Sequence, residues 1–270
     1  MKKFLAILCA LALCLMCATA MAEGESESHP KYVFMFIGDG MGNPQVTATQ
    51  YYLGSIENPD SKFPVPADLS FTKFPYLGLV TTYDSSSFCP DSASTATSMA
   101  SGKKTLSGVI NYDETLTTPY KIITEYAKEA GKKVGVITSV SVDHATPAAY
   151  YAKQPSRNDY YDISLQALTG TTVDYLAGGG FKKMNGADGQ QKSLLDVAKE
   201  NGWVIPTTND EIRSLTATND RVLATNPVLQ DSKAIHYEID RIQKEAAGED
   251  RVLRKEWTLG RIVGVSPLPA

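Results

Sequence analysis

The chain has 270 residues, 43% hydrophobic and 21% charged, the composition of a globular protein long enough to bury a full core. Its formal charge is −4, and losing Lys2 and Lys3 with an N-terminal export signal takes it to about −6, which argues against nucleic acid as the main partner. Cys9, Cys14 and Cys17 fall in that signal, so Cys89 is left alone and an internal disulfide in the mature chain is excluded.

The signal consists of Lys2-Lys3, an apolar run from Phe4 to about Cys17, and Ala20-Met21-Ala22 as a small-x-small cleavage site. The run is too short for a membrane span and no later segment is longer, so residues 1–22 are expected to be removed and the mature chain exported, periplasmic or extracellular, from near Glu23. A lipid anchor on Cys14 or Cys17 is disfavoured by the bulk of Leu13 and Met16. Residues 23–31 form a polar, disordered lead, residues 32–230 an α/β domain, and residues 231–270 a divergent or truncated tail.

Tyr32 to Ile37 is a continuous apolar run ended by Gly38-Asp39-Gly40-Met41-Gly42, which predicts a buried strand, a glycine turn, and then a helix over Pro44 to Tyr52. Asp39 then stands at the C-terminal end of a central strand, where open α/β sheets collect ligands. It is equally readable as a turn-forming acid, and the glycine spacing is not the dinucleotide fingerprint because Asn43 stands where its last glycine belongs. A proline-rich loop follows from Ser55 to Pro75, then a strand over Tyr76 to Tyr83. Asp91 or Ser92 opens a small-residue helix running to Gly102. A hydroxyl there sits among free N–H groups at the positive helix end and can favour an oxyanion, or the segment is an ordinary capped helix.

Ser107 to Asp113 reads as a turn and short strand, and Pro119 to Ala130 as an amphipathic helix stopped by Gly131. Val134 to Val142 is a buried strand, followed by Asp143-His144-Ala145-Thr146 and, after one helical segment, Arg157. Val173 to Ala177 is a strand before Gly178-Gly179-Gly180, Ser193 to Asn201 a helix stopped by Gly202, Trp203 to Ile205 a strand, Asn209 to Leu215 a helix and Arg221 to Ala224 a strand. A helix over Ile239 to Ala247 is the last element with any pattern. The alternation predicts an α/β fold, a doubly wound, mostly parallel sheet with helices on both faces.

Asp39, Asp91-Ser92, His144/Thr146 and Arg157 all fall at or just after predicted strand ends, which gathers them on one sheet edge. A serine nucleophile, an acid able to hold metal, a hydroxyl ligand and a guanidinium that grips two phosphate oxygens fit phosphoryl transfer.

With these residues in place, the sequence resembles the alkaline phosphatase family. Phe36-Ile37-Gly38-Asp39-Gly40-Met41-Gly42 is similar to that family's first metal-binding turn. Asp91-Ser92-Ala93-Ser94-Thr95-Ala96-Thr97, with Gly102-Lys103-Lys104-Thr105 behind it, is similar to its nucleophile segment. Ala145-Thr146-Pro147-Ala148-Ala149 with Arg157 resembles its magnesium and phosphate-arginine segment, and Asp174 to Gly180 a structural segment. The resemblance implies hydrolysis of small-molecule phosphate monoesters with Zn2+ and Mg2+. In it Ser92 becomes phosphoserine and Arg157 holds phosphate, oriented by Asp91. Asp39 bridges a zinc and the magnesium, Ser92 meets zinc, and Thr146 supplies a hydroxyl to magnesium. His144 falls where family members carry an acid or a histidine; the histidine form implies a magnesium site open to zinc, and a half-buried loop histidine is the plain alternative.

The family builds its zinc sites largely from histidines and acids in a longer second half, whereas this chain holds only His29, His144 and His236. Roughly three protein ligands per zinc are needed, so the zinc sites are expected to be incomplete and the chain to be an amino-terminal part of such an enzyme, which bears on whether it is active. Tyr237 to Arg241 resembles the last segment before that half. A non-catalytic exported phosphate-binding protein is the alternative from another class, and a sulfatase or mutase relative is disfavoured by the Ser92 context. A thiolate phosphatase on Cys89 fails because Thr95 stands where arginine is needed, and Cys89 is expected to be a small buried residue. A Walker loop fails at Thr97 and Lys104. An exposed sheet edge is prone to association, with a homodimer as one outcome.

Overall fold

The computed structural model describes residues 30–216, 218–225, 229–237 and 240. The expected signal, the lead before Pro30, the body of the helix over 239–247 and the tail beyond 240 lie outside the described residues. The chain divides into two units between Gly38 and Asp39.

In the second unit the elements run α1 (Asn43–Glu57), α2 (Ser92–Ser101), α3 (Ile123–Glu129), β1 (Gly135–Ile137), α4 (Ala145–Ala148), α5 (Tyr160–Thr169), β2 (Tyr175–Gly178), α6 (Leu194–Glu200), α7 (Asn209–Ser214) and β3 (Val222–Thr225). The strands form a parallel sheet in the order β1-β2-β3, with Val136 beside Leu176 and Leu176 beside Leu223. Parallel neighbours need crossovers, and helices supply them: α4 and α5 between β1 and β2, α6 and α7 between β2 and β3. The fold is therefore α/β, as the alternation of patterns implied.

The middle strand is apolar because it has neighbours on both sides; Leu176 and Ala177 are fully buried, as are Leu223 and Ala224 beside them. Ile163 and Leu168 of α5 and Leu194 of α6 complete the core, since α5 and α6 pack together. Trp203 is buried with its indole N–H donated to the Leu168 carbonyl at 2.8 Å. Arg221 stacks 4.2 Å from the Trp203 ring and donates to the carbonyls of Asn201, Ala167 and Gly170, closing the ends of α5 and α6.

The glycines after β2 are required by close approach. A Cβ on Gly179 would lie 2.0 Å from the Lys233 carbonyl oxygen and 2.7 Å from that of Val140. The backbone of residues 233–235 bonds there, Gly180 N–H to Lys233 O and Ile235 N–H to Ser139 O.

Several predicted elements differ. Residues 32–37 lie in no β ladder, and Val33, Phe34 and Phe36 are exposed. The run Tyr76 to Tyr83 is likewise outside any ladder, with Leu77 95% and Leu79 98% exposed. Apolar, β-branched sequence favours a strand only when a neighbour accepts its backbone hydrogen bonds and covers its side chains. Neither run is paired in a ladder among the described residues, and the side chains just named are exposed. The helix expected from Pro119 starts at Ile123, because Tyr112 bridges Pro119 and the Ile122 N–H is capped by Glu125 Oε2 at 2.9 Å. The strand expected over 134–142 keeps only Gly135–Ile137, and that over 203–205 only a bridge from Val204 to Val222. Cys89 is exposed, against the expectation of burial: Pro90 and Asp91 turn the chain into α2 and leave the thiol outside.

Candidate active site

The site is built around the start of α2. Asp91 is the N-cap, extended at φ −93° and ψ 175°, and its Oδ1 accepts the Ser94 N–H at 3.0 Å. Ser92 is the first helical residue, so its hydroxyl lies among the unpaired N–H groups and the positive end of a ten-residue helix. Small residues make this helix fit: Ala93, Ala96, Thr97 and Ala100 are buried, and Gly102 ends it at φ +73°. Thr97 Oγ1 accepts the Asn111 N–H at 2.9 Å, and Asn111 Nδ2 donates to the carbonyls of Ala149 and Ala152, each at 2.8 Å. That buried bridge fixes α2 against the segment that begins with α4.

Asp39 enters from the turn before α1, where Gly40 takes φ +65° and the Gly42 N–H is held by Gln45 Oε1 at 3.0 Å. Its two carboxylate oxygens reach different elements. Ser92 Oγ donates to Oδ1 at 3.1 Å, and Thr146 Oγ1, on α4, donates to Oδ2 at 2.8 Å. Arg157 lies in the turn before α5, its backbone N–H on the Gly108 carbonyl at 2.8 Å and its Nη1 on Asp91 Oδ2 at 2.7 Å. Its Nη2 lies 3.3 Å from His144 Nε2. A guanidinium can only donate, so that imidazole nitrogen accepts and the ring proton is assigned to Nδ1. All the residues singled out in the sequence thus form two linked groups, Ser92–Asp39–Thr146 and Asp91–Arg157–His144, joined by the adjacency of Asp91 and Ser92.

The electrostatics match these contacts. Burial opposes the Asp91 charge, but the N–H groups of Gly108 and Ser94, the Arg157 guanidinium and the Ser94 hydroxyl outweigh it and hold the carboxyl at about 2. Burial, then the positive charges of Arg157 and Lys182, depress His144 below its ordinary value. It is therefore neutral near pH 7. Burial raises the Asp143 carboxyl, whose Oδ2 accepts the Lys182 N–H at 2.8 Å. Lys182 and His144 also line a shallow hollow with Gln230, Asp231, Ala234 and Tyr237.

Three participants were not singled out from sequence: Gly108, Ser94 and Asp84. The Gly108 N–H donates to Asp91 Oδ1 at 3.0 Å, and Ser94 Oγ lies 2.8 Å from both Asp91 Oδ1 and Asp84 Oδ2. The one available signal was the density of hydroxyls in Asp84-Ser85-Ser86-Ser87.

The donor set suits one kind of metal. Asp39 with Thr146 offers carboxylate and hydroxyl oxygens on adjacent elements, the hard ligands magnesium prefers, with water completing its shell. It does not fit catalytic zinc: among the described residues, no three side chains of His, Cys, Asp or Glu converge.

The profile of the alkaline phosphatase family matches residues 30–247. Among curated proteins, the tissue-nonspecific alkaline phosphatase of Gallus gallus is 36% identical over 155 residues, 53% of this chain and 29% of that protein. The Homo sapiens counterpart is 37% identical over 142 residues, 26% of its length. Among solved structures, alkaline phosphatase from the Antarctic bacterium TAB5 superposes with a TM-score of 0.59 and 30% identity, over 76% of this chain and 54% of that one. A mutant of that enzyme, a histidine replaced by glutamate and magnesium bound in its M3 site, matches at a TM-score of 0.58 and 28% identity over 56% of its length. The chain spans under a third of these curated relatives and about half of the TAB5 chains.

Proposed function

The chain belongs to the alkaline phosphatase family, and from that membership we propose that its site moves the phosphoryl group of a phosphate monoester to Ser92 and then to water. The observation that carries this reading is the hydrogen bond from Ser92 Oγ to Asp39 Oδ1 beside the Asp91–Arg157 ion pair. It puts a hydroxyl at a helix N-terminus, a proton acceptor on that hydroxyl and a guanidinium within one small region.

In this reading Arg157 keeps Nη1 on Asp91 and turns its remaining N–H groups to the phosphate oxygens. Ser92 Oγ attacks phosphorus as its proton passes to Asp39, the ester P–O bond breaks, and the alkoxide leaves as the alcohol by taking a proton from solvent, to which Asp39 returns the one it accepted. Water then displaces Ser92 from phosphorus, releasing phosphate and restoring the hydroxyl. The helix N-terminus stabilises negative charge on Ser92 Oγ in both steps. Asp39 and Thr146 would hold magnesium, which supplies positive charge near the phosphate. No step is assigned to zinc, for which the donors among the described residues do not fit.

The test is hydrolysis of a chromogenic phosphate monoester by the full chain with magnesium, without and with zinc. Turnover that vanishes in Ser92→Ala, with phosphate trapped on Ser92 in acid-quenched samples, is the expected result; turnover that survives Ser92→Ala overturns it. That no three side chains of His, Cys, Asp or Glu converge among the described residues favours a second reading, a phosphate-binding protein without turnover. Tight phosphate binding with no hydrolysis under any metal condition selects that one. The export signal over residues 1–22 adds that the protein acts outside the cytoplasm, and a secreted form beginning near Glu23 is the expected product of cleavage.

A further inference from the structure

We propose that Asp84 is a positioning residue for phosphate binding: through Ser94 and Ser107 it fixes the two structures that hold Asp91 and Arg157 in place. The inference rests on the reading of Arg157 as the phosphate-binding group.

Asp84 lies outside the motifs and touches none of the residues assigned to chemistry, yet it is buried, 4% exposed. A buried carboxylate is costly unless its oxygens are filled. Here both are. Oδ1 accepts the Ser86 N–H at 2.8 Å and the Ser86 hydroxyl at 3.0 Å; Oδ2 accepts the hydroxyls of Ser94 at 2.8 Å and Ser107 at 2.5 Å. Burial works against the charge, but the bonds from Ser107, Ser86 and Ser94 together outweigh it and keep the group ionised.

Each of the two hydroxyls on Oδ2 leads to the site by a separate route. Ser94 is in the first turn of α2; its N–H donates to Asp91 Oδ1, and its Oγ lies 2.8 Å from that oxygen. Ser107 precedes Gly108, whose N–H donates to Asp91 Oδ1 at 3.0 Å and whose carbonyl accepts the Arg157 N–H at 2.8 Å. One carboxylate therefore ties the helix start and the 107–108 turn together, and Asp91 and Arg157 sit on those two pieces. Ser94 Oγ has one proton between two carboxylates. Asp84 Oδ2 and Asp91 Oδ1 both lie 2.8 Å from that hydroxyl, which therefore links the two carboxylates at the helix start.

The experiment measures inorganic phosphate binding by calorimetry, and KM and kcat for a phosphate monoester, in wild type, Asp84→Ala, Asp84→Asn and Ser94→Ala/Ser107→Ala. Asp84→Ala is expected to weaken phosphate binding and raise KM about tenfold, with kcat within about threefold of wild type. Asp84→Asn, which keeps one oxygen to accept a hydroxyl, is expected to fall between. The double serine variant cuts both routes and is expected to reproduce the effect, and Asp84→Asn, which fills the same space without the charge, decides the matter if Asp84→Ala does not fold. Wild type that binds phosphate, with variants that bind it equally well or lose only kcat, overturns this inference alone. Wild type that neither binds phosphate nor hydrolyses the ester overturns the reading of the site and this inference with it.

Discussion

Ser92 acquires its chemical character from contacts made both within its own helix turn and from segments far along the chain. Its hydroxyl meets Asp39, and the acid beside it is clamped by Gly108, Ser94 and Arg157. Arg157 presents a planar fork, one arm on Asp91 and one toward His144, which an ammonium cannot copy. Arg157→Lys is therefore expected to lose phosphate affinity almost as fully as Arg157→Ala, roughly ten- to a hundredfold by calorimetry. Rescue by lysine would contradict the forked contact. Asp91 also makes stability depend on acid. Its folded value of about 2 lies below the ordinary 3.8, so the stabilisation is full above about pH 4 and is lost as pH falls toward 2. Removing it with Asp91→Asn is expected to cost on the order of 1–2 kcal/mol at pH 7, allowing for partial solvent screening, and to flatten denaturant midpoints between pH 4 and 2. At this scale the sequence is most legible: Asp39, Ser92, Thr146, His144 and Arg157 are each carried by a local motif, and hydrogen bonds link them in two groups beside Asp91. Asp84 was not legible, since a single acid in a serine-rich loop has no pattern that says which hydroxyls it will reach.

At the scale of elements, caps and stops read well and lengths read poorly. Gly102, Gly131 and Gly202 end α2, α3 and α6 at positive φ, the left-handed region that favours glycine. Strand lengths were overestimated because apolar runs mark what can be buried, and the ladder extends only as far as a neighbour is present. α1 is longer than its pattern, reaching Glu57, and is anchored at Gly54, where a Cβ would lie 1.8 Å from the Val65 carbonyl oxygen. Gly54→Ala is expected to cost about 2 kcal/mol or more, read as a fall in Tm, because that contact is backbone and cannot move aside. Asp39 lies just before this helix, so the same variant is expected to raise KM. Gly131→Asn is the control: its added atoms meet open space and asparagine tolerates that backbone, so Tm is expected to change little.

At the scale of the whole molecule, the long apolar run from Phe74 to Val80 is left outside the sheet, with Tyr76, Leu77, Leu79 and Val80 each more than four-fifths exposed. Such a stretch drives association in water. Light scattering is expected to show self-association that rises with salt and falls in Leu77→Lys/Leu79→Lys, with Tm unchanged because neither side chain is packed; a monomer at all concentrations would oppose this. The sequence by itself determined the α/β class and the family, because helix and strand periods, glycine turns and the Asp91-Ser92 cap are local properties of neighbouring residues. Only the tertiary structure decided which apolar runs become strands, where the Cys89 thiol points, and that Asp84 stands behind Asp91. Those outcomes depend on whether a distant segment arrives to accept a hydrogen bond or cover a side chain, and no local pattern carries that information.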